Sequence, residues 1–200
     1  MSDVNSKLTL IRYPHPSLRY RSKPIRRVDS ELLLWIREMF QLMYDHNGVG
    51  LAANQVDLPY RLFVINLTSD PSEKAEELVF INPEIIRRSG SEEGEEGCLS
   101  LPDIRVQVRR SKELEILAYS PNGEEIRWRI NGLLARAFQH ELDHLNGVLF
   151  VDHLAPSESL NVRATLEEWE REYSMARSRG QQPSTEDVIA RLKELEALRT

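Results

Sequence analysis

The stretch QHELDHLNG, residues 139–147, holds His140, Glu141 and His144 in the pattern H-E-x-x-H. The sequence around it reads as one helix over about 131–145. Asn131 is placed to cap its start, and Gly147 to take the left-handed position after its end. Between them Leu133, Leu134, Ala137, Phe138, Leu142 and Leu145 recur at helical spacing and make a broad apolar face. Residues four apart on a helix lie one above the other, so His140 and His144 can aim two imidazoles at one point. Glu141 sits next to one of them, close enough to work on a water held at that point. Two imidazoles and a neighbouring carboxylate suit a divalent metal that activates water.

A catalytic site of this kind usually takes three protein ligands and leaves one position open. The third His of the longer pattern H-E-x-x-H-x-x-G-x-x-H is missing, because Phe150 stands there. Two sources of a third ligand remain. One is downstream, Glu167 or Glu168 on a later helical stretch. The other is upstream, Cys98 in EEGCLSLP, the one cysteine of the chain. A lone cysteine forms no intramolecular disulfide, and most such residues are small buried hydrophobes. This one follows the Gly-rich acidic segment SGSEEGEEG, where Gly97 allows a close backbone approach. Its thiolate is a strong ligand for a borderline or soft metal.

A third segment, HNGVGLAANQ at residues 46–55, follows an amphipathic helix over about Ser30 to Tyr44. Leu33, Ile36, Phe40 and Met43 form that helix's inner face, and Asn47-Gly48 marks its stop. Gly48 and Gly50, with Ala52 and Ala53, keep the stretch thin enough for a substrate backbone to lie against it, and Gln55 offers an amide donor. It is not a phosphate loop, because no Lys-Ser/Thr follows.

GVGLAANQ, EGCLS and QHELDH, in this order, resemble the three signature motifs of the peptide deformylases. LIRYPHPSLR and HLNGVLFVDHL are also similar to that family, and the likeness covers about residues 8–155. Asn54 departs from it, standing where many members carry Pro. The resemblance implies an enzyme that removes the formyl group from the initiator methionine of nascent polypeptides. It implies a metal held by Cys98, His140 and His144, characteristically Fe2+, with Zn2+, Ni2+ or Co2+ able to substitute. It makes Glu141 the general base and later proton donor. It makes Gln55 and the backbone N–H of Leu99 the oxyanion hole. Val49, Leu99 and Leu133 resemble the family's pocket residues, and Gly50 and Gly97 its narrow approach. Arg105 matches an arginine near the substrate backbone. Arg136, one turn on from Leu133, shows that pocket only its stem or faces elsewhere.

The 200 residues suggest one domain with a sizeable core. A net charge of −6 with scattered Lys and Arg argues against direct nucleic-acid binding. The N-terminus MSDVNSKLTL lacks the basic and apolar regions of a signal peptide. Apolar runs such as Leu32 to Ile36 fall far short of the ~20 residues that cross a membrane. A cytoplasmic enzyme meeting nascent chains, in transient contact with the ribosome, is the implied setting.

The fold reads as α+β: antiparallel sheets around a central metal-binding helix, with an N-terminal helix and a helical C-terminal extension. Strands are expected near 61–66, 78–82, 104–109, 114–119 and 125–130, the last two joined at Pro121-Asn122-Gly123. The acidic run Glu92 to Glu96 reads as a solvated loop, apart from Glu96, which belongs to the second motif. Residues 1–156 form the catalytic part, and 157–200 two helices, 157–178 and 185–198, with Ser184 and Asp187 as a capping box. The first of these should dock on the body. The second, with Val188, Ile189, Leu192, Leu195 and Leu198 in a stripe, packs on a second copy, a ribosomal protein or its own body. Two other functions compete: a metallopeptidase using Glu167 or Glu168, and a redox or binding protein with a metal–thiolate centre. The oligomeric state is open.

Overall fold

Leu62-Phe-Val-Ile65 has no polar residue, and the strand it forms has no solvent face. In the computed structural model, which describes residues 7–200, Leu62 and Val64 join the core beneath one helix, and Phe63 and Ile65 the core beneath another. The first six residues, part of the stretch read for a leader peptide, lie outside the described residues.

The first helix is α1 (Ser30–Asp45), capped by Asp29, whose carboxylate accepts the Leu32 N–H at 2.9 Å. It buries Leu32, Ile36, Met39, Phe40 and Met43, while Leu33 is only partly covered. The strands β1 (Gly50–Ala52), β2 (Leu62–Ile65), β3 (Leu78–Ser89), β6 (Glu113–Tyr119) and β7 (Glu125–Asn131) form one antiparallel sheet in the order β1-β2-β3-β6-β7. Gly123, at positive φ, turns β6 into β7 as the Pro-Asn-Gly signal predicts. The second helix, α2 (Gly132–Leu145), lies on the other face of the sheet. Phe138 anchors it between Phe63 and Phe80, with ring centroids at 5.0 and 5.1 Å.

Asn131 stands at the N-cap of α2, but its side chain makes no capping bond. It is also the last residue of β7, paired with Glu113 in extended backbone. Gly147 does hold positive φ after the helix, and a Cβ there would lie 2.5 Å from the Arg19 carbonyl oxygen.

The acidic run is not a loop. Residues Glu92–Cys98 form β4, paired antiparallel with β5 (Leu101–Arg110) in a separate two-stranded sheet. Residues 92, 94, 96 and 98 turn toward the protein, but they are Glu, Gly, Glu and Cys. An inward face without apolar residues gives no alternation signal to read. The hairpin's apolar side, Leu101, Ile104 and Val108, packs on Leu149, Phe150 and Val162.

Helix α3 (Pro156–Ser178) docks on the body through buried Val162 and half-buried Leu166 and Trp169. Leu160, the first residue of the apolar stripe Leu160, Leu166, Trp169 and Tyr173 read from the sequence, stays exposed because Val162 faces the body in its place. Helix α4 (Thr185–Ala197) is capped by Ser184, which accepts the Asp187 N–H at 3.0 Å. It packs on its own chain. Val188 and Leu192 are buried, and Tyr60 donates its hydroxyl to the Leu195 carbonyl at 2.6 Å. Arg199 lies over the Trp35 and Tyr60 rings and pairs with Asp29 and Glu31 at 2.9 and 2.5 Å. Removing residues 181–200 should therefore cost stability. Val188 and Leu192 alone represent roughly 3–6 kcal/mol at about 1.5–3 kcal/mol per buried side chain. An unchanged chemical-denaturation midpoint in the truncated chain would contradict this packing.

Candidate active site

Buried polar side chains need partners, and α2 buries Arg136, Gln139, Glu141 and His144 along with its apolar face. His140 and His144, one turn apart, bring their ring centroids to 5.0 Å. Cys98 ends β4 where the hairpin register shifts, and its Sγ lies 3.2 Å from His144 Nε2. One ligand atom from each of Cys98, His140 and His144 falls within 4.8 Å of the others, the one such group among the described residues. Glu167 is instead paired with Arg163 at 2.6 Å on an exposed part of α3.

His140 Nδ1 lies 3.0 Å from Glu96 Oε2, which fixes the ring and leaves Nε2 for another partner. Glu96 also accepts from Arg110 Nε and Nη2, both at 2.9 Å, and from Arg136 Nη1 at 2.8 Å. Arg110 continues to Asp143, which His153 also contacts at 2.7 Å. Burial alone would raise the Glu96 pKa, but the hydrogen bonds from His140 and Arg110, with the Arg110 charge, outweigh it and hold it at about 2. Burial also works against charge on His140, and bonds to Cys98 and Glu96 overcome it, so its pKa is well raised. His144 is pushed well down, by burial first and then by the charge of His140. His144 Nδ1 and Glu141 Oε2 are buried without a protein partner.

Gln55 sits in a short 3-10 turn, Ala53–Val56, and is almost fully buried. Its Oε1 accepts the Ala52 N–H at 2.8 Å, which turns Nε2 toward Cys98 Sγ at 3.4 Å and Ser100 Oγ at 3.1 Å. The Glu141 carboxyl rises to about 7, chiefly through burial. A Cβ on Gly50 would collide with that carboxylate, and one on Gly48 would lie 2.7 Å from Leu99 Cδ1. Both glycines are there for space.

A cleft of about 540 Å³ opens over this centre. Val49, Gly50, Gln55, Gly97, Cys98, Leu99, Arg105, Leu133, His140 and Glu141 all line it, and His144 lies behind the wall. Leu133 is 55% exposed at the mouth. Arg105 is exposed and 3.5 Å from Glu95. The cleft thus gathers all the site residues expected from sequence except His144, which joins the centre from behind.

The family model described as polypeptide deformylase matches residues 7–160, close to the span expected from the motifs. The chain belongs to that family. It is similar to a peptide deformylase of Rhodopirellula baltica, 41% identical over 193 residues and 96% of each chain. It is also similar to one of Hahella chejuensis, 44% identical over 163 residues, 81% of this chain and 95% of that one. A plant peptide deformylase crystal structure superposes with a TM-score of 0.83 at 38% identity, covering 90% of this chain and 96% of that one. The Rhodopirellula likeness runs past the family match into the C-terminal helices.

Sequence reading missed the roles of Glu96, Arg110, Asp143, His153 and Ser100. Asp143 inside H-E-x-D-H, one residue before a His, was the available signal. Arg110 comes from the far end of the hairpin and had none. The low pKa of Glu96 gives a pH test. A depressed folded value means the stability it contributes is complete above its ordinary 4.5 and is lost as the pH falls toward about 2. Glu96→Gln should lower the unfolding midpoint at neutral pH, and the gap to wild type should close across that acid window. A gap of constant size from pH 7 to 2 would contradict the assignment.

Proposed function

We propose that the chain performs its family's reaction, hydrolysis of the N-formyl group from the initiator methionine of nascent polypeptides, with Cys98, His140 and His144 holding the metal. The observation that carries the proposal is the convergence of a thiol and two imidazoles beside a buried, unpartnered carboxylate oxygen of Glu141. Ferrous iron is the metal we assign, with Zn2+, Ni2+ or Co2+ able to replace it. A divalent cation in such a site lowers the pKa of a water from 15.7 toward roughly 7 and polarises a carbonyl.

The residues divide the remaining work. Glu141 accepts the proton of the attacking water and returns it to the leaving amine. A carboxyl held at about 7 is matched to that exchange near neutral pH. Gln55 is preorganised because its own oxygen is tied to Ala52, so its Nε2 can donate to the developing oxyanion together with the Leu99 N–H. One such donor is typically worth about 10²–10³ in rate. Gly50, pressed on Glu141, and Gly97 keep the approach narrow, so a formyl group enters and a methyl in its place is crowded. Val49, Leu99 and Leu133 receive the methionine side chain, which is flexible enough to fill an irregular apolar pocket. Arg105 meets the peptide backbone at the mouth.

Residues 1–156 carry the chemistry, and 157–200 are a helical extension of the same domain. The setting is cytoplasmic, with transient ribosome contact and no membrane role. Among the described residues no helix is long and apolar enough to cross a bilayer.

Glu141→Gln should keep its metal and lose about 10²–10⁴ in turnover on a formyl-Met-Ala-Ser peptide. Cys98→Ser should lose most metal, and Glu167→Gln none. Near-normal turnover in Glu141→Gln, or full metal in Cys98→Ser, would overturn these roles.

A further inference from the structure

The two halves of the metal site stand on separate elements. His140 and His144 belong to α2, whereas Cys98 belongs to the β4–β5 hairpin, which is not part of the five-stranded sheet. Metal affinity depends on how firmly the hairpin is held against the helix. We propose that Arg136, seated on Gly94, is a positioning residue that straps the hairpin to α2 and so sets the spacing between Cys98 and the two imidazoles. This rests on the reading of those three residues as ligands.

Arg136 lies one turn before His140 on the same helix face. It borders the cleft, yet every hydrogen bond found for its guanidinium goes to the hairpin. Nη1 donates to Glu96 Oε1 at 2.8 Å, to the Val108 carbonyl at 3.0 Å and to the Gly94 carbonyl at 3.3 Å. Nη2 donates to the Glu92 carbonyl at 3.3 Å. Gly94 and Val108 are register partners, so one planar fork grips both strands at the same rung. Gly94 makes this approach possible. A Cβ there would lie 2.7 Å from Nη2, 2.8 Å from Cζ and 3.0 Å from Nε. Glu96 and Cys98 follow Gly94 on the same inward face of β4. A shift of the fork is therefore passed to the carboxylate that orients His140 and to the thiol itself.

Gly94 offers a test that alters no charge and touches no ligand. Wild type, Arg136→Met, Arg136→Lys, Gly94→Ala and the Arg136→Met/Gly94→Ala double variant would be compared by chelator competition for Co2+, by the cobalt–thiolate absorption band and by thermal unfolding. Gly94→Ala and Arg136→Met should each weaken Co2+ binding by about 10–100-fold, the usual cost of losing a group that orients metal ligands. Both should shift the thiolate band. The double variant should be no worse than the weaker-binding single, because both act through one contact. Arg136→Lys keeps the charge without the fork and should recover only part of the loss. Lower unfolding midpoints with unchanged Co2+ affinity and band position would overturn the strap, and so would full recovery by lysine. If Arg136→Met does not fold, Gly94→Ala decides alone. Wild-type protein that binds no Co2+ would overturn the ligand reading as well, whereas equal binding by all variants would overturn only the strap.

Discussion

Glu96 is buried, and an isolated carboxylate at such a depth costs several kcal/mol unless positive charge and donors surround it. It is met by two arginines and His140. With Asp143 the cluster sets two carboxylates against two guanidiniums and the His140 and His153 imidazoles. A buried ion cluster is a poor source of net stability compared with apolar packing. Its value here is geometric. Each member has partners on different elements, and they can all be satisfied only when the hairpin, α2 and the segment carrying His153 stand in one arrangement.

That arrangement rests on the layers beneath it. β2 is apolar on both faces because α1 covers one and α2 the other. The wall of the cleft next to β1 must be thin, since a Cβ on Gly50 would run into Glu141 and one on Gly48 into Leu99. Small residues in this stretch leave little side chain to pack, so neighbours fix the backbone. Ile11 donates its N–H to the Gln55 carbonyl at 2.7 Å, and Asn54 bonds the His144 carbonyl. Asn54 thus ties the Gln55 turn directly to α2.

The sequence was most readable where chemistry and periodicity coincide. H-E-x-x-H on an apolar stripe marks α2, its two imidazoles and its carboxylate, because helical spacing alone places them together. The β6–β7 hairpin was legible from Pro-Asn-Gly between alternating runs. The hairpin of Cys98 was legible only in β5, since the inward residues of β4 are Glu, Gly, Glu and Cys, and their partners come from 14 to 46 positions away. Arg136 was left between showing the pocket its stem and facing elsewhere, because its destination depends on a glycine that sequence spacing does not connect to it. The Val188–Leu192 stripe of α4 showed that something must cover it. Only the fold shows that the cover is the chain's own body, with Arg199 reaching the cap of α1.

The central claim joins a metal on Cys98, His140 and His144 to formyl hydrolysis. It is tested most directly by titrating the anaerobic, metal-free protein with Fe2+ while measuring bound iron and formate release from formyl-Met-Ala-Ser in the same samples. The account predicts that formate release rises in proportion to bound iron and levels off at one ion per chain, with no acetate released from the acetylated peptide. Full iron loading without formate release, or release that does not depend on bound metal, would contradict it.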